Sequence, residues 1–455
     1  MKNWTRTAHS SELLTFRDIE VWTHEGMKPH CDVVLRDGRL VEIRPAAKPV
    51  VRKNRVALMP AAVDTQVHMR TPGQWEKETP DTALLAALKG GVGALLTMPN
   101  TKPVLDTVEA LDLAKAQVSA AESRFGVRVL YSVAGTDGQK GEKVAPLEDL
   151  VKAGAVAVTD DGKGVSNDGV QLEIFMRLQP LGIPFLQHAE TLGAEGPLAD
   201  GPVPRKQGLK PYSAKHETDM VARDLKLLEK APNARYHLLH TSSGESVPLI
   251  EKAKAAGFKV TAEVSPHHLY FSSDDIDEGN TSFKMNPPIR SNADREALID
   301  GLASGAIDWV ATDHAPHEMS TKTKPFADAS FGTLGLETMV PVILDLVQKR
   351  RLTPARAVQV MSTAPAKFLG LSESYGHLRV GAPMRAILVN PDVAWTVRAQ
   401  EHSSLSKNTC FDGARLTGKV IAHVTPSGIW SAEDIFSDAS TDGPDDAQFE
   451  KLETT

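Results

Sequence analysis

From residue 56 to residue 313 the chain repeats one pattern. A short apolar run ends at a polar residue, and a longer segment leads to the next run. The runs are 56–63, 94–98, 127–133, 155–159, 183–187, 235–239, 258–262 and 308–312. Each reads as a buried strand. Most of the segments between them have helical periodicity, for example 105–121, 214–230 and 294–303. Alternating strands and helices imply a parallel sheet. Eight such units over about 250 residues match a closed (β/α)8 barrel of the TIM type, whose active sites lie at the carboxyl ends of the strands.

Those ends are where the polar residues fall. The first run leads into Val63-Asp64-Thr65-Gln66-Val67-His68-Met69-Arg70, where alternation puts Gln66, His68 and Arg70 on one side. The later runs end at Asp160-Asp161-Gly162, His188, His240, Glu263 and Asp313. A lone strand-end histidine is ordinarily structural, and Asp-Asp-Gly alone is an ordinary turn. The coincidence at five strands of one barrel is what points to chemistry. His68, Asp161, His188, His240 and Asp313 offer three imidazoles and two carboxylates, a set suited to zinc or a similar divalent ion. Asp313 is placed to take a proton from an attacking water and hand it to a leaving nitrogen. Arg70 suits a carboxylate, which a guanidinium holds by two parallel bonds. The reaction class is metal-assisted hydrolysis, or its reverse, on an anionic carbonyl compound.

Outside the barrel, 16–22 and 32–35 alternate like strands, and Arg36-Asp37-Gly38-Arg39 is a hairpin signal. Helices are expected at 336–349 and 353–361, then short strands within 376–390 and 418–430. Residues 1–58 and 376–430 together should build a small β-sandwich domain beside a barrel of residues 59–375. Residues 431–455 hold eight acids and one base, which accounts for the whole net charge of −7. This tail reads as disordered and solubilising, and it leaves a near-neutral body without the basic face that nucleic acid requires. Two distant cysteines, Cys31 and Cys410, fit a reducing compartment. With no signal core and no membrane-length run, a cytoplasmic location is expected. Residues 321–331 have the polar look of a lid.

The chain resembles the bacterial dihydroorotases, class I type, of the amidohydrolase superfamily. The resemblance runs from about Asp18 to Trp430 and is carried by motifs in the family's order. Besides the first strand they are Met98-Pro99-Asn100-Thr101, Thr159-Asp160-Asp161-Gly162, Gln187-His188-Ala189-Glu190, His237-Leu238-Leu239-His240, Glu263-Val264-Ser265-Pro266-His267-His268, Asn286-Pro287-Pro288-Ile289-Arg290, Thr312-Asp313-His314-Ala315-Pro316-His317 and Gly335-Leu336-Glu337-Thr338. It implies reversible cyclisation of N-carbamoyl-L-aspartate to dihydroorotate, a step of pyrimidine synthesis. It implies zinc, one or two ions per chain, held by His68, Asp161, His188, His240 and Asp313. Asp161 would be the bridging ligand, because its 27-residue interval to His188 is that of the family. Asp313 would be the general acid/base, with Arg70, Asn100, Asn286 and His317 holding the substrate. A homodimer and a complex with aspartate carbamoyltransferase are the partners it suggests.

Two positions depart from the family. Gln66 stands where the first-strand pattern has a histidine, and Thr71 where an acidic residue is usual. A carboxamide oxygen is a weaker zinc donor than an imidazole, so Gln66 is a weak or lost ligand. The alternatives left open are a non-catalytic scaffold for aspartate carbamoyltransferase and another cyclic amidohydrolase, a hydantoinase or allantoinase. Those enzymes typically bridge their metals with a carboxylated lysine at the fourth strand, and here Lys163 lies two residues beyond Asp161.

Overall fold

The computed structural model describes residues 4–48, 55–431 and 449–451. Eight parallel strands follow one another in chain order around a barrel. They are Ala62–Val67, Val92–Thr97, Arg128–Val133, Ala157–Val158, Pro184–Gln187, Arg235–Leu238, Val260–Val264 and Trp309–Val310. The ring closes where Val67 bridges His314 in parallel and the His68 N–H donates to the His314 carbonyl at 2.9 Å. The first, second and fifth strands are buried at every position, as expected of strands covered on both faces.

Several helices start where a side chain caps them. Thr107 accepts the Ala110 N–H and opens Val108–Phe125, three residues later than periodicity predicts, and Gly126 ends it in the left-handed conformation (φ 70°). Ser291 and Asp294 form a capping box that starts Asn292–Ser304 two residues early. The helix expected at 353–361 is instead Pro354–Val358, followed by a π-helical turn, Gln359–Thr363, and by Ala364–Phe368.

The two chain ends meet in one continuous sheet of nine strands among the described residues. Its order is Thr5–Thr7, Gly428–Ser431, Arg415–Thr425, Ala386–Thr396, Ala57–Pro60, Leu14–Thr23, Gly26–Arg36 and Arg39–Pro45, with Phe449–Lys451 antiparallel to Leu14–Thr23. It has its own core, including Phe16, Val33, Leu58 and Leu388. The run 56–63, expected as one strand, is therefore two. The chain passes between sheets at Ala61, whose N–H goes to the Arg385 carbonyl at 3.0 Å while that of Ala62 goes to Gly91 at 2.9 Å. The acidic tail, expected to be disordered, contributes the short pairing strand Phe449–Lys451; its other positions beyond Ser431 lie outside the described residues. Cys31 and Cys410 are free and buried. Among the described residues no helix is long and apolar enough to cross a membrane.

Candidate active site and metal centre

The polar residues at the strand ends converge on one pocket of about 220 Å³ at the barrel mouth. His68, Arg70, Asn100, Asp161, His188, His240, Asn286, Asp313 and His317 all line it. Gln66 does not; it is fully buried beneath the pocket.

A buried clamp sets the seam between the first and last strands. Asp64 accepts the Gln66 N–H at 3.2 Å, the Thr312 N–H at 3.0 Å and the Thr312 hydroxyl at 2.6 Å. It thereby aligns Gln66 and His68 with Asp313. Burial raises the Asp64 carboxyl to about 7, against the pull of those bonds. At the fourth strand the two adjacent aspartates divide. Asp160 turns away to accept the Gly135 and Thr136 N–H groups at 2.8 and 3.1 Å, together with the Thr136 hydroxyl. Asp161 faces the pocket.

Asp161 Oδ1 lies 3.6 Å from both His188 Nδ1 and His240 Nε2, and those two nitrogens are 2.9 Å apart. Among the described residues this trio is the only group of three acidic, histidine or cysteine side chains whose ligand atoms all lie within 4.8 Å of one another. Burial opposes charge on Asp161, but contacts from His188 and His240 hold its carboxyl well below the usual range. Burial likewise opposes an imidazolium at His188, yet Asp161 and Glu190 raise it to about 10. Glu190 lies 3.3 Å from His188 Nε2 and accepts from Tyr212 at 3.1 Å and from Asn286.

His68 forms the other half. Its Nε2 is 3.0 Å from Asp313 Oδ1 and 3.3 Å from Asp161 Oδ2, and its Nδ1 is 2.9 Å from Asn100 Oδ1. Gln66 Nε2 donates to Asp161 Oδ1 at 3.1 Å, while Gln66 Oε1 has no hydrogen-bond partner among the described residues. On the outer side, Arg70 donates from Nε to the Pro316 carbonyl at 3.2 Å and from Nη2 to His317 Nε2 at 3.1 Å. Burial lowers Arg70 to about 10, so it stays charged at neutral pH. Burial, reinforced by the Arg70 charge, pushes His317 down to about 2, which leaves it neutral and able to accept. Arg70, His240 and Asp313 have φ of 58°, 28° and 49°. Left-handed backbone at a non-glycine residue costs of order 1–3 kcal/mol and collects at functional sites.

The expected lid is tied down at its ends. Lys322 Nζ donates to the Ser330, Gly332 and Lys284 carbonyls at 2.7, 2.9 and 3.1 Å. Only Phe331, 42% exposed, stands out over the pocket. Glu190, Tyr212 and Asp64 are site residues to which sequence reasoning gave no role. Glu190 carried one signal, its place two residues after His188 in a quoted motif.

Residues 55–246 match the model of the Dihydro-orotase-like family, and residues 205–421 that of the Amidohydrolase family. Over 377 residues the chain is 39% identical to the dihydroorotase of Geobacillus thermodenitrificans, covering 82% of this chain and 87% of that protein. The chain belongs to the dihydroorotase family. Another family relative, the dihydroorotase of Lactiplantibacillus plantarum, is 36% identical over 89% of this chain and 95% of its own length. The family's membership in the amidohydrolases accounts for the solved structures that share the fold. The L-hydantoinase (dihydropyrimidinase) of Arthrobacter aurescens superposes with a TM-score of 0.78 at 26% identity, over 91% of this chain and 94% of that one. The dihydropyrimidinase of Brevibacillus agri shares the fold with a TM-score of 0.77 at 19% identity, over 92% of this chain and 94% of that one.

Proposed function

We propose that the chain is a dihydroorotase, a zinc-dependent enzyme that closes N-carbamoyl-L-aspartate to dihydroorotate with loss of water and reopens the ring. One observation carries the reading. A trio suited to a divalent ion, a carboxylate placed for proton transfer and a charged guanidinium line the same pocket. The donor set fits such an ion. Two buried imidazole nitrogens and one carboxylate oxygen converge within 3.6 Å of one another, and these are the atom types that hold a catalytic zinc. Two histidines with one carboxylate suit zinc. A bound divalent cation would polarise the amide carbonyl and make a neighbouring water more acidic.

The side chains supply the rest. In ring opening, the Asp313 carboxylate takes a proton from the water that adds to the ring carbonyl carbon. It returns that proton to the nitrogen as the C–N bond breaks, and ring closure runs the same transfers backwards. Arg70 holds the substrate carboxylate: among the described residues its Nη1 has no partner. Asn100, Asn286 and His317 complete the polar wall. Lys163 is exposed, away from the trio, which disfavours the lysine-bridged hydantoinase chemistry.

Ring opening of dihydroorotate, measured beside hydantoin and allantoin with excess Zn2+, tests this. Turnover of dihydroorotate alone is expected. Turnover of hydantoin alone, or of none, overturns the reading, and the second result would favour a scaffold. Size-exclusion chromatography with and without aspartate carbamoyltransferase reads the implied homodimer and complex.

A further inference from the structure

We propose that the site takes a single divalent cation per chain, on Asp161, His188 and His240, and that Gln66 is the positioning residue that makes it so. The inference rests on the preceding reading only in taking the mouth to be a metal site.

Three protein ligands with a fourth position open is the pattern of catalytic zinc. The trio has that pattern, and it also has the outer support such sites use. Glu190 lies against His188 Nε2 at 3.3 Å, so Nδ1 is the nitrogen that faces Asp161 and His240. A carboxylate behind a ligating histidine fixes its tautomer and orientation.

On the opposite side of the pocket the side chains pair with one another. His68, Asp161 and Asp313 do not bring their ligand atoms into a second cluster of the trio's kind. The imidazole of His68 instead lies between the two carboxylates, at 3.3 Å from Asp161 and 3.0 Å from Asp313, and its other nitrogen meets Asn100. Gln66 sits below with no exposure to solvent. Its Nε2–H holds Asp161 Oδ1, the oxygen that faces both trio histidines. To a second ion the Gln66 amide could offer only its Oε1, since its Nε2–H is on Asp161. The gain would be one neutral oxygen, a weak donor beside imidazole. The same amide bond keeps Asp161 aimed at the trio, so it favours one ion position as it disfavours the other.

The test counts bound metal. The full chain, stripped by chelator, is dialysed to equilibrium against rising Zn2+, and zinc is measured by mass spectrometry beside a thermal melt. The wild type should saturate at one ion per chain, with none left at that site in His240→Ala. Gln66→His should saturate at two. Gln66→Leu should keep one ion with affinity lower by about tenfold, at an unchanged melting temperature in the metal-free state. A wild-type count of two or of none overturns the inference, as does a folded Gln66→His that stays at one. The outcome is separable from the activity. Dihydroorotate turnover by a two-zinc protein removes this inference and leaves the function; one bound zinc without turnover does the reverse.

Discussion

At the barrel mouth the buried groups are Asp161, His188, His240 and Arg70; in the terminal sheet they are Phe16, Val33, Leu58 and Leu388. The first set is ionisable, is held partly by left-handed backbone at Arg70 and His240, and lies over Gln66 Oε1, which among the described residues has no hydrogen-bond partner. Each of those features costs folding free energy. The second set buries only apolar surface, which stabilises at roughly 25 cal/mol per Å². The two regions therefore divide the work. Changes at the mouth should alter chemistry at little cost in stability, and changes in the sheet should do the opposite.

The largest effect is expected at Asp313. Asp313→Asn keeps the shape and removes the proposed proton acceptor, so kcat should fall by about 10²–10⁴-fold. Its melting temperature should match the wild type or exceed it, as when a strained site is relieved. A large drop in melting temperature with proportionate loss of activity would erase the contrast. Leu388→Ala is the converse. Leu388 is fully buried in the core of the terminal sheet, and truncating it should destabilise by about 2–5 kcal/mol in urea unfolding. The kcat/KM per folded molecule should not change. A fall in kcat/KM would show that the sheet shapes the mouth.

The division also explains what the sequence made legible. Barrel strands stand out because both faces are buried, so apolar runs mark them whatever lies between. Polar residues at their ends stand out for the same reason, and His68, Asp161, His188, His240 and Asp313 reach one pocket. Helix starts were less legible, because Thr107 and Ser291 set them through single capping bonds that periodicity does not contain. The change of sheet at Ala61 was invisible, since both neighbours are apolar and buried alike. Glu190, Asp64 and Tyr212 act through orientation. Asp64 looks like any strand aspartate until Thr312, far along the chain, is folded against it.

Glu190 is the next test in size. It supports His188 from behind and touches no trio atom other than through that ring. Glu190→Gln should weaken zinc binding by about 10–100-fold, with little change in the stability of the metal-free protein. Unchanged zinc affinity would leave the carboxylate with a role in the pocket wall alone.

The smallest effect concerns charge placed where it does no chemistry. On the terminal sheet Arg55 reaches Asp392 at 2.8 Å and Glu20 at 3.2 Å, but Arg55 is about half exposed, with 46% of its side chain accessible. Water and salt screen such a pair, and exposed ion pairs contribute about 0.2–1 kcal/mol. Arg55→Ala should therefore lower the melting temperature by no more than about 2 °C, and raising the salt concentration should shrink the difference. Activity should not move. Arg70 carries the same charge at the mouth, where burial withdraws that screening, so the substrate carboxylate would be held far more strongly there than Asp392 is held by Arg55. A salt-insensitive loss of several kcal/mol at Arg55 would mean that the sheet, too, depends on its charges.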